Sequence, residues 1–299
     1  MPHLQTIESI TVASCIGGSA DSCHTGPPTI RHSDFWQLLH PELRLNWHPQ
    51  IEPDLHSRNS LSELSSLSRK LADFTSQQFS SQHPFLVIGG DHSCAIGTWS
   101  GVINRIQSNQ KIALLWIDAH LDAHTMNTSR SGNLHGMPVS AIIGQADTQL
   151  ADCYPGKQFL NPENLFYFGI RSYEQDEIIL MTKQQAHIIT MEDINNSGGT
   201  EQCIATLMSH IDQHYSHIGI SIDLDAIDPS QAPGVETPCK NGLNAEHLLK
   251  ALQKHIPRNK LIGVEISEFN PQTDHNRITE KLVYNLINHI FSSANQKDL

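Results

Sequence analysis

Three short stretches of this chain concentrate acids and histidines: Gly89-Gly90-Asp91-His92-Ser93, Asp118-Ala119-His120-Leu121-Asp122 and Asp223-Leu224-Asp225. Each follows an apolar, β-branched run. Four carboxylates (Asp118, Asp122, Asp223, Asp225) and two imidazoles (His92, His120) therefore stand at the ends of three expected strands. So many acids share a buried site only when cations neutralise them, and the economical reading is a pair of divalent metal ions. Carboxylates mixed with imidazoles suit Mn²⁺, with Fe²⁺ or Co²⁺ as alternatives. Structural zinc takes more thiolates or histidines and is satisfied by four ligands. Asp118, His120 and Asp122 alternate in sequence, which in an extended segment puts them on one face, and Asp223 and Asp225 alternate likewise. Two such ions hold a bridging water, lower its pKa to give hydroxide at neutral pH and orient an electrophile beside it. The expected chemistry is hydrolysis of a poor electrophile by attack at carbon. One DxHxD string alone is equally a solvated loop or a helix cap; three motifs at three strand ends favour a shared site. Among the 19 histidines, His32, His48, His187 and His255 read as solvent-facing or satisfied in loops.

The elements that must position these residues are legible as an alternation. Thr6–Cys15, Phe85–Ile88, Ile112–Ile117, Leu165–Ile170, Ile188–Thr190, Ile218–Ile222 and Leu261–Ile266 are short apolar runs, the pattern of strands buried on both faces. Between them lie helical stripes: Leu61, Leu64, Leu67, Leu71 and Phe74, with Ser60 and Glu63 as a capping box; Ile96, Trp99, Val102, Ile103 and Ile106; Ile204, Leu207, Met208, Ile211 and Tyr215; and Leu282, Val283, Leu286, Ile287 and Ile290. Ser57–Ser81 is serine-rich, but its apolar period makes it a helix, while Gln145–Asn161 reads as a loop. The expected fold is α/β: a three-layer, doubly wound, mostly parallel sheet with helices on both faces, forming one catalytic domain over residues 1–299. In such folds ligands collect at the carboxyl ends of the strands, where all three motifs fall.

Bulk properties narrow the partners. A hydrophobic content of 38% supports a packed core, and the net charge of −12 argues against nucleic acid or an anionic membrane. It suits a cationic small molecule or divalent metal. The six cysteines, Cys15, Cys23, Cys94, Cys153, Cys203 and Cys239, form no CxxC pair and read as reduced thiols of a cytoplasmic protein. No signal peptide or membrane span is evident, Met1–Ile10 lacking a basic start and a long apolar stretch. Cys94 reads as a buried helix-start residue or a redox-sensitive thiol.

Taken together the motifs resemble the arginase/agmatinase (ureohydrolase) family across nearly the whole chain. The resemblance runs through Gly26-Pro27 with Ile30-Arg31, GGDHS (89–93), DAHLD (118–122), SGNLHGMP (131–138), SIDLDAIDP (221–229) and Glu268-Phe269-Asn270-Pro271. The SGNLHGMP string is similar to arginases in particular. The resemblance implies that His92, Asp118, Asp122 and Asp223 bind one manganese and that His120, Asp118, Asp223 and Asp225 bind the other, giving two Mn²⁺ per subunit. Asp122 would also accept a hydrogen bond from the bridging hydroxide. His135 matches the proton-shuttle histidine, and Glu268 matches the acid that holds the substrate guanidinium, a planar fork suited to a carboxylate. Glu265 is the competing acid. Strand alternation puts 265 and 268 on opposite faces, so one alone is expected to point inward, and the match favours Glu268.

Ser131 and Asn133 match the segment that meets an α-carboxylate, and Thr237 matches an active-site threonine. His124 stands where arginases usually carry a carboxylate-binding asparagine, and Glu174 where they carry an amine-binding aspartate. The implied reaction is L-arginine plus water to L-ornithine plus urea. Agmatinase, guanidinobutyrase and formimidoylglutamase activities, or non-catalytic binding of a metal or guanidino compound, are the alternatives. The family also implies a homo-oligomer, trimer or hexamer.

Overall fold

Most of the runs expected to be strands are apolar because inside the sheet both of their faces are covered. In the computed structural model, which describes residues 5–18, 22–54 and 60–292, they form β1 (Gln5–Val12), β3 (Phe85–Gly89), β4 (Ile112–Ile117), β5 (Leu165–Ile170), β6 (His187–Thr190), β7 (His217–Asp223) and β8 (Leu261–Ser267), joined by β2 (Leu43–Trp47). One eight-stranded sheet results, in the order β2-β1-β3-β8-β7-β4-β5-β6, and every strand pair is parallel. Alternate side chains enter different cores. Leu86, Ile88, Leu115 and Ile117 join one apolar cluster with Ile204, Leu207 and Leu286; Phe85, Val87, Leu114 and Trp116 join another with Leu64, Leu67 and Trp99. The first cluster includes residues of helices Thr200–His214, Ala245–His255 and Ile278–Phe291, the second residues of helices Leu61–Ser80 and Ala95–Ile103. That is the three-layer, doubly wound α/β arrangement. Full burial of each large side chain contributes about 1.5–3 kcal/mol, so the strand ends are held by far more than the loops they carry.

β2 went unread in sequence because it is an edge strand. Leu43 is buried while Arg44 and Asn46 are exposed, so no continuous apolar run marks it. Ser60 accepts a hydrogen bond from Glu63 N at 3.3 Å, capping Leu61–Ser80. Two stripes overran their helices: Ile106 lies beyond Ala95–Ile103 and Tyr215 caps Thr200–His214. The 145–161 loop contains a short helix, Thr148–Ala151, capped by Asp147. Residues 1–4 of the N-terminal segment and 57–59 of the serine-rich stretch lie outside the described residues. No helix among the described residues is long and apolar enough to cross a membrane.

Strand order matters most for chemistry. β3 and β4 are consecutive in the chain but are separated in the sheet by β8 and β7. The loops leaving the carboxyl ends of β3, β8, β7 and β4, four adjacent strands, therefore open onto one crevice, the position at which doubly wound sheets bind ligands.

Candidate metal centre

The sharp turn after β3 begins at Gly90, where a Cβ would stand 1.8 Å from Ser14 O; a glycine is the residue this approach allows. Asp91 then caps the following turn, accepting from Ser93 N at 2.9 Å and from the Ser93 hydroxyl. Its other oxygen accepts from Gly17 N at 3.0 Å, and Gly17 O in turn accepts from His135 N at 3.1 Å. Burial and the nearby Glu268 charge push Asp91 up to about 6.

His92 is fully buried. Its Nδ1 lies 3.3 Å from Asp118 Oδ2, 3.1 Å from Asp122 Oδ2 and 3.3 Å from Asp223 Oδ2, yet it makes no well-directed hydrogen bond. Trp116 secures two members of this group: its ring stacks on His92 with centroids 4.2 Å apart, and its Nε1 donates to Asp118 Oδ2 at 2.8 Å. Asp118 turns its other oxygen to a second group. His120 Nδ1 is 3.6 Å from Asp118 Oδ1 and 3.0 Å from Asp225 Oδ2, and Thr237 Oγ1 donates to Asp225 Oδ2 at 3.0 Å. Two candidate groups adjoin, His92, Asp118, Asp122 and Asp223 beside Asp118, His120 and Asp225, with Asp118 common to both; a third, His124, Glu174 and Glu177, shares no residue with them. Asp223, expected in both, stands with the first through Oδ2; its other oxygen, Oδ1, accepts from Asp225 N at 2.8 Å beside the second.

The local backbone corrects one expectation. Asp118, His120 and Asp122 do not share a face of an extended segment. β4 stops at Ile117, and Asp122 has φ +49°, a left-handed conformation that folds its carboxylate back toward Asp118.

The electrostatics test whether divalent cations fit. Asp122 is driven up to about 7 by burial and by the Asp118 charge. Asp223 is driven well above the carboxylate range by burial and by the charges of Asp225 and Asp118. Asp118 is held below its ordinary value: burial opposes its charge, but the neighbouring His120 and His92 rings prevail. Four acids and two histidines cannot satisfy one another, and the orphaned His92 Nδ1 points at three carboxylate oxygens. Two divalent ions would neutralise the acids and use that lone pair, so the donor set fits two hard or borderline divalent metals.

A cavity of about 210 Å³ opens above, lined by His120, Asp122, His124, His135, Gly136, Ser172, Tyr173, Glu174, Glu177, Asp223, Asp225 and Thr237. His135 Nδ1 lies 3.2 Å from Glu268 Oε1. Burial works against charge on His135, but the Glu268 hydrogen bond and nearby acids raise it to about 10. Glu268 sits behind His135 rather than in the cavity wall. Its Oε1 also accepts from His92 N at 2.8 Å, and its Oε2 is buried without a partner.

Strand alternation does not separate Glu265 from Glu268 as expected. Both are buried, at 0% and 1% exposure. β8 ends at Ser267 and Glu268 has φ +68°, so strand alternation does not reach residue 268.

At the outer end of the cavity His124 Nε2 pairs with Glu174 and lies 3.3 Å from Glu177 Oε2. Glu177 was not singled out in sequence. It closes a reciprocal cap with Glu174 and accepts from Ala123 N at 3.1 Å. The expected α-carboxylate segment is set apart: Ser131 is exposed, its Oγ accepts from Asn133 N at 3.2 Å, and neither residue lines the cavity. Cys94 is a buried helix-start residue. Burial and Glu265 hold its thiol well above the ordinary range, which opposes the redox reading. Of the histidines set aside, His48 pairs with Glu8 at 2.6 Å, His187 stacks on Phe166 and His32 bonds Pro28 O.

Comparison with known proteins agrees with this layout. The Arginase family model matches residues 11–292. An arginase of Entamoeba histolytica is 32% identical over 81% of this chain and 80% of its own length. The crystal structure of Bacillus subtilis arginase superposes with a TM-score of 0.86 at 27% identity, covering 97% of this chain and 99% of that one. The Entamoeba histolytica arginase in complex with L-ornithine superposes with a TM-score of 0.82, also at 27% identity, over 97% and 99% of the two chains. A metal-capable His/Asp centre at the switch point of such a sheet, in a chain matched almost end to end, leaves one conclusion: this protein is a hydrolytic enzyme belonging to the arginase family.

Proposed function

We propose that the chain hydrolyses L-arginine to L-ornithine and urea, with two Mn²⁺ held by His92, Asp118, Asp122 and Asp223 on one side and by Asp118, His120, Asp225 and Asp223 on the other. One observation carries this: Asp118 presents separate oxygens to two adjoining ligand groups at the floor of a polar cavity. The L-ornithine held by the Entamoeba histolytica relative supports the substrate class. When bound, the ions supply an acidified water and a positive field over the electrophile. Asp122, one of the residues that would hold the ions, would accept a hydrogen bond from that water. Glu268 Oε2, buried behind His135 without a partner, is the carboxylate oxygen left to take the guanidinium, which requires the substrate to reach past the His135 ring. The water oxygen bonds to the guanidinium carbon as the C–N bond to the ornithine side chain breaks, and both water protons pass to the departing nitrogen, with His135 as the group that relays them. His124 and Glu174 line the outer end, which takes the amino-acid head group, Thr237 lines the wall beside Asp225, and Ser131 and Asn133, outside the cavity wall, would have to close on the α-carboxylate.

A second reading has one observation of its own: His124 and Glu174 pair with each other. That favours a different distal group, as in agmatine, 4-guanidinobutyrate or formimidoylglutamate. A Mn²⁺-supplemented panel of these four compounds, read by urea or formamide release, separates them. L-arginine is expected to have the highest kcat/KM; agmatine ahead of it would remove the roles of Ser131 and Asn133. His135→Asn is expected to lower kcat about 100-fold with Mn²⁺ affinity unchanged, and wild-type turnover would exclude the shuttle.

The same reading takes the whole chain as one catalytic domain, supported by the single sheet and the match over residues 11–292. It also takes the chain as a cytoplasmic homo-oligomer, trimer or hexamer. Six free cysteines support a reducing compartment.

A further inference from the structure

Glu265 is an acid that the reaction above does not use. It is completely buried, lies outside the cavity wall and is costly to bury charged. Its position follows from register: Val87, Glu265, Ser221 and Trp116 are successive partners across β3, β8, β7 and β4, so their side chains form one row on the face beneath His92.

Along that row the hydrogen bonds have one direction. Cys94 Sγ donates to Glu265 Oε1 at 2.8 Å, and Ser221 Oγ donates to Glu265 Oε2 at 3.3 Å. Ser221 Oγ is also 3.0 Å from His92 Nε2. A hydroxyl has one proton. With that proton committed to the Glu265 carboxylate, Ser221 can only accept from His92, so the imidazole proton sits on Nε2. Nδ1 is left as a bare lone pair, 3.1 Å from Asp122 Oδ2, as a metal ligand requires. Trp116 stacking fixes the ring plane. Gly89 keeps room for the chain of donors, since a Cβ there would meet Cys94 Sγ at 2.2 Å.

We infer that Glu265 is the positioning residue of the metal centre: acting through Ser221, it sets the tautomer and orientation of His92 before any ion arrives. This rests on the reading above that His92 is a metal ligand. Outer partners of metal-binding histidines typically contribute 10–100-fold in affinity.

The test uses Ser221→Ala, Glu265→Leu and the double variant, each titrated with Mn²⁺ by calorimetry. Nitrogen-15 NMR of the histidine rings in chelator-treated protein reports the tautomer, with His92→Asn assigning the signal. The expected result is a 10–100-fold loss at one of two Mn²⁺ steps and the other step within threefold. The imidazole proton should move from Nε2, and the double variant should bind no worse than the weaker single one. A merely structural Glu265 would lower the melting temperature and leave both Mn²⁺ steps and the tautomer as in wild type, which would overturn the proposal. If Glu265→Leu fails to fold, Ser221→Ala decides alone. Failure of the underlying reading looks different, because His92→Asn would then leave Mn²⁺ binding unchanged.

Discussion

Asp223→Asn should make the metal-stripped protein more stable and the metal-loaded protein inactive. Asparagine keeps a carbonyl for the Asp225 N–H that Asp223 Oδ1 accepts at 2.8 Å, so the cap survives. What is removed is a carboxyl that folding must either keep charged among like charges or protonate. Asp223 lies far above the carboxylate range through burial and the charges of Asp225 and Asp118, and relieving that crowding should raise the melting temperature of chelator-treated protein by about 2–4 °C. With Mn²⁺ the sign reverses. Wild type gains about 2.7 kcal/mol at a ligand concentration 100-fold above Kd, whereas the variant, lacking a ligand, should gain little and lose at least about 1000-fold in turnover.

The pH dependence follows from the same crowding. Asp122 is raised to about 7 in the fold, above its value of about 4 in an unfolded chain. A raised carboxyl pKa contributes stability that is full below about pH 4 and is lost as pH rises through about 7. Chelator-treated protein should therefore lose stability over that interval through Asp122. Mn²⁺ competes with the same protons, so its stabilising effect should grow over the same interval. Melting curves at pH 5–8, with chelator and with Mn²⁺, give both signs. A stripped variant no more stable than wild type, or one still stabilised by Mn²⁺, would contradict the placement of Asp223 in a cation site.

Glu268→Gln should separate substrate binding from metal binding. Glu268 belongs to none of the candidate metal groups, so Mn²⁺ affinity should stay near wild type. The amide oxygen can still accept from His92 N, which the carboxylate does at 2.8 Å, and the backbone at φ +68° need not move. The guanidinium, however, would lose its counter-charge in a dry site, where removing one partner of a buried ion pair costs about 3–5 kcal/mol. The expected loss in kcat/KM is therefore about 100- to 1000-fold or more. A second effect comes through His135. Burial opposes its charge and the Glu268 hydrogen bond carries it to about 10. Without that carboxylate the imidazolium deprotonates at lower pH, so the alkaline limb of the kcat profile should move down. Steady-state kinetics across pH measures both, and a kcat/KM within threefold of wild type would remove Glu268 from the guanidinium site.

How much of this was legible beforehand depended on the range of the forces involved. The strands inside the sheet could be read because both of their faces are covered and they are apolar along most of their length; β6, at one edge, showed through Ile188 and Ile189, whereas β2, half-exposed at the other, carries no such mark. The motifs after β3, β4 and β7 were visible because acids and histidines after an apolar run are a local pattern. Trp116 and Ser221 were not, since nothing in an indole or hydroxyl inside an apolar run announces that it will stack under His92 or bond its far nitrogen. Glu265 and Glu268 could not be sorted by alternation, which ends with the strand, whereas Glu268 turns with positive φ just beyond it.

The amino-acid sequence by itself determined which segments become strands and helices, which residues could bind metal, and that the fold would be parallel α/β, because propensity and hydrophobic period act over a few neighbouring residues. Only the tertiary structure decided that β8 and β7 lie between β3 and β4, that Asp118 faces two groups at once, that His124 is paired with Glu174, and that Glu265 stands under His92. Those are contacts between residues up to 176 positions apart, as for His92 and Glu268. They are set by how whole strands pack against shared helices, and no short window of sequence contains that information.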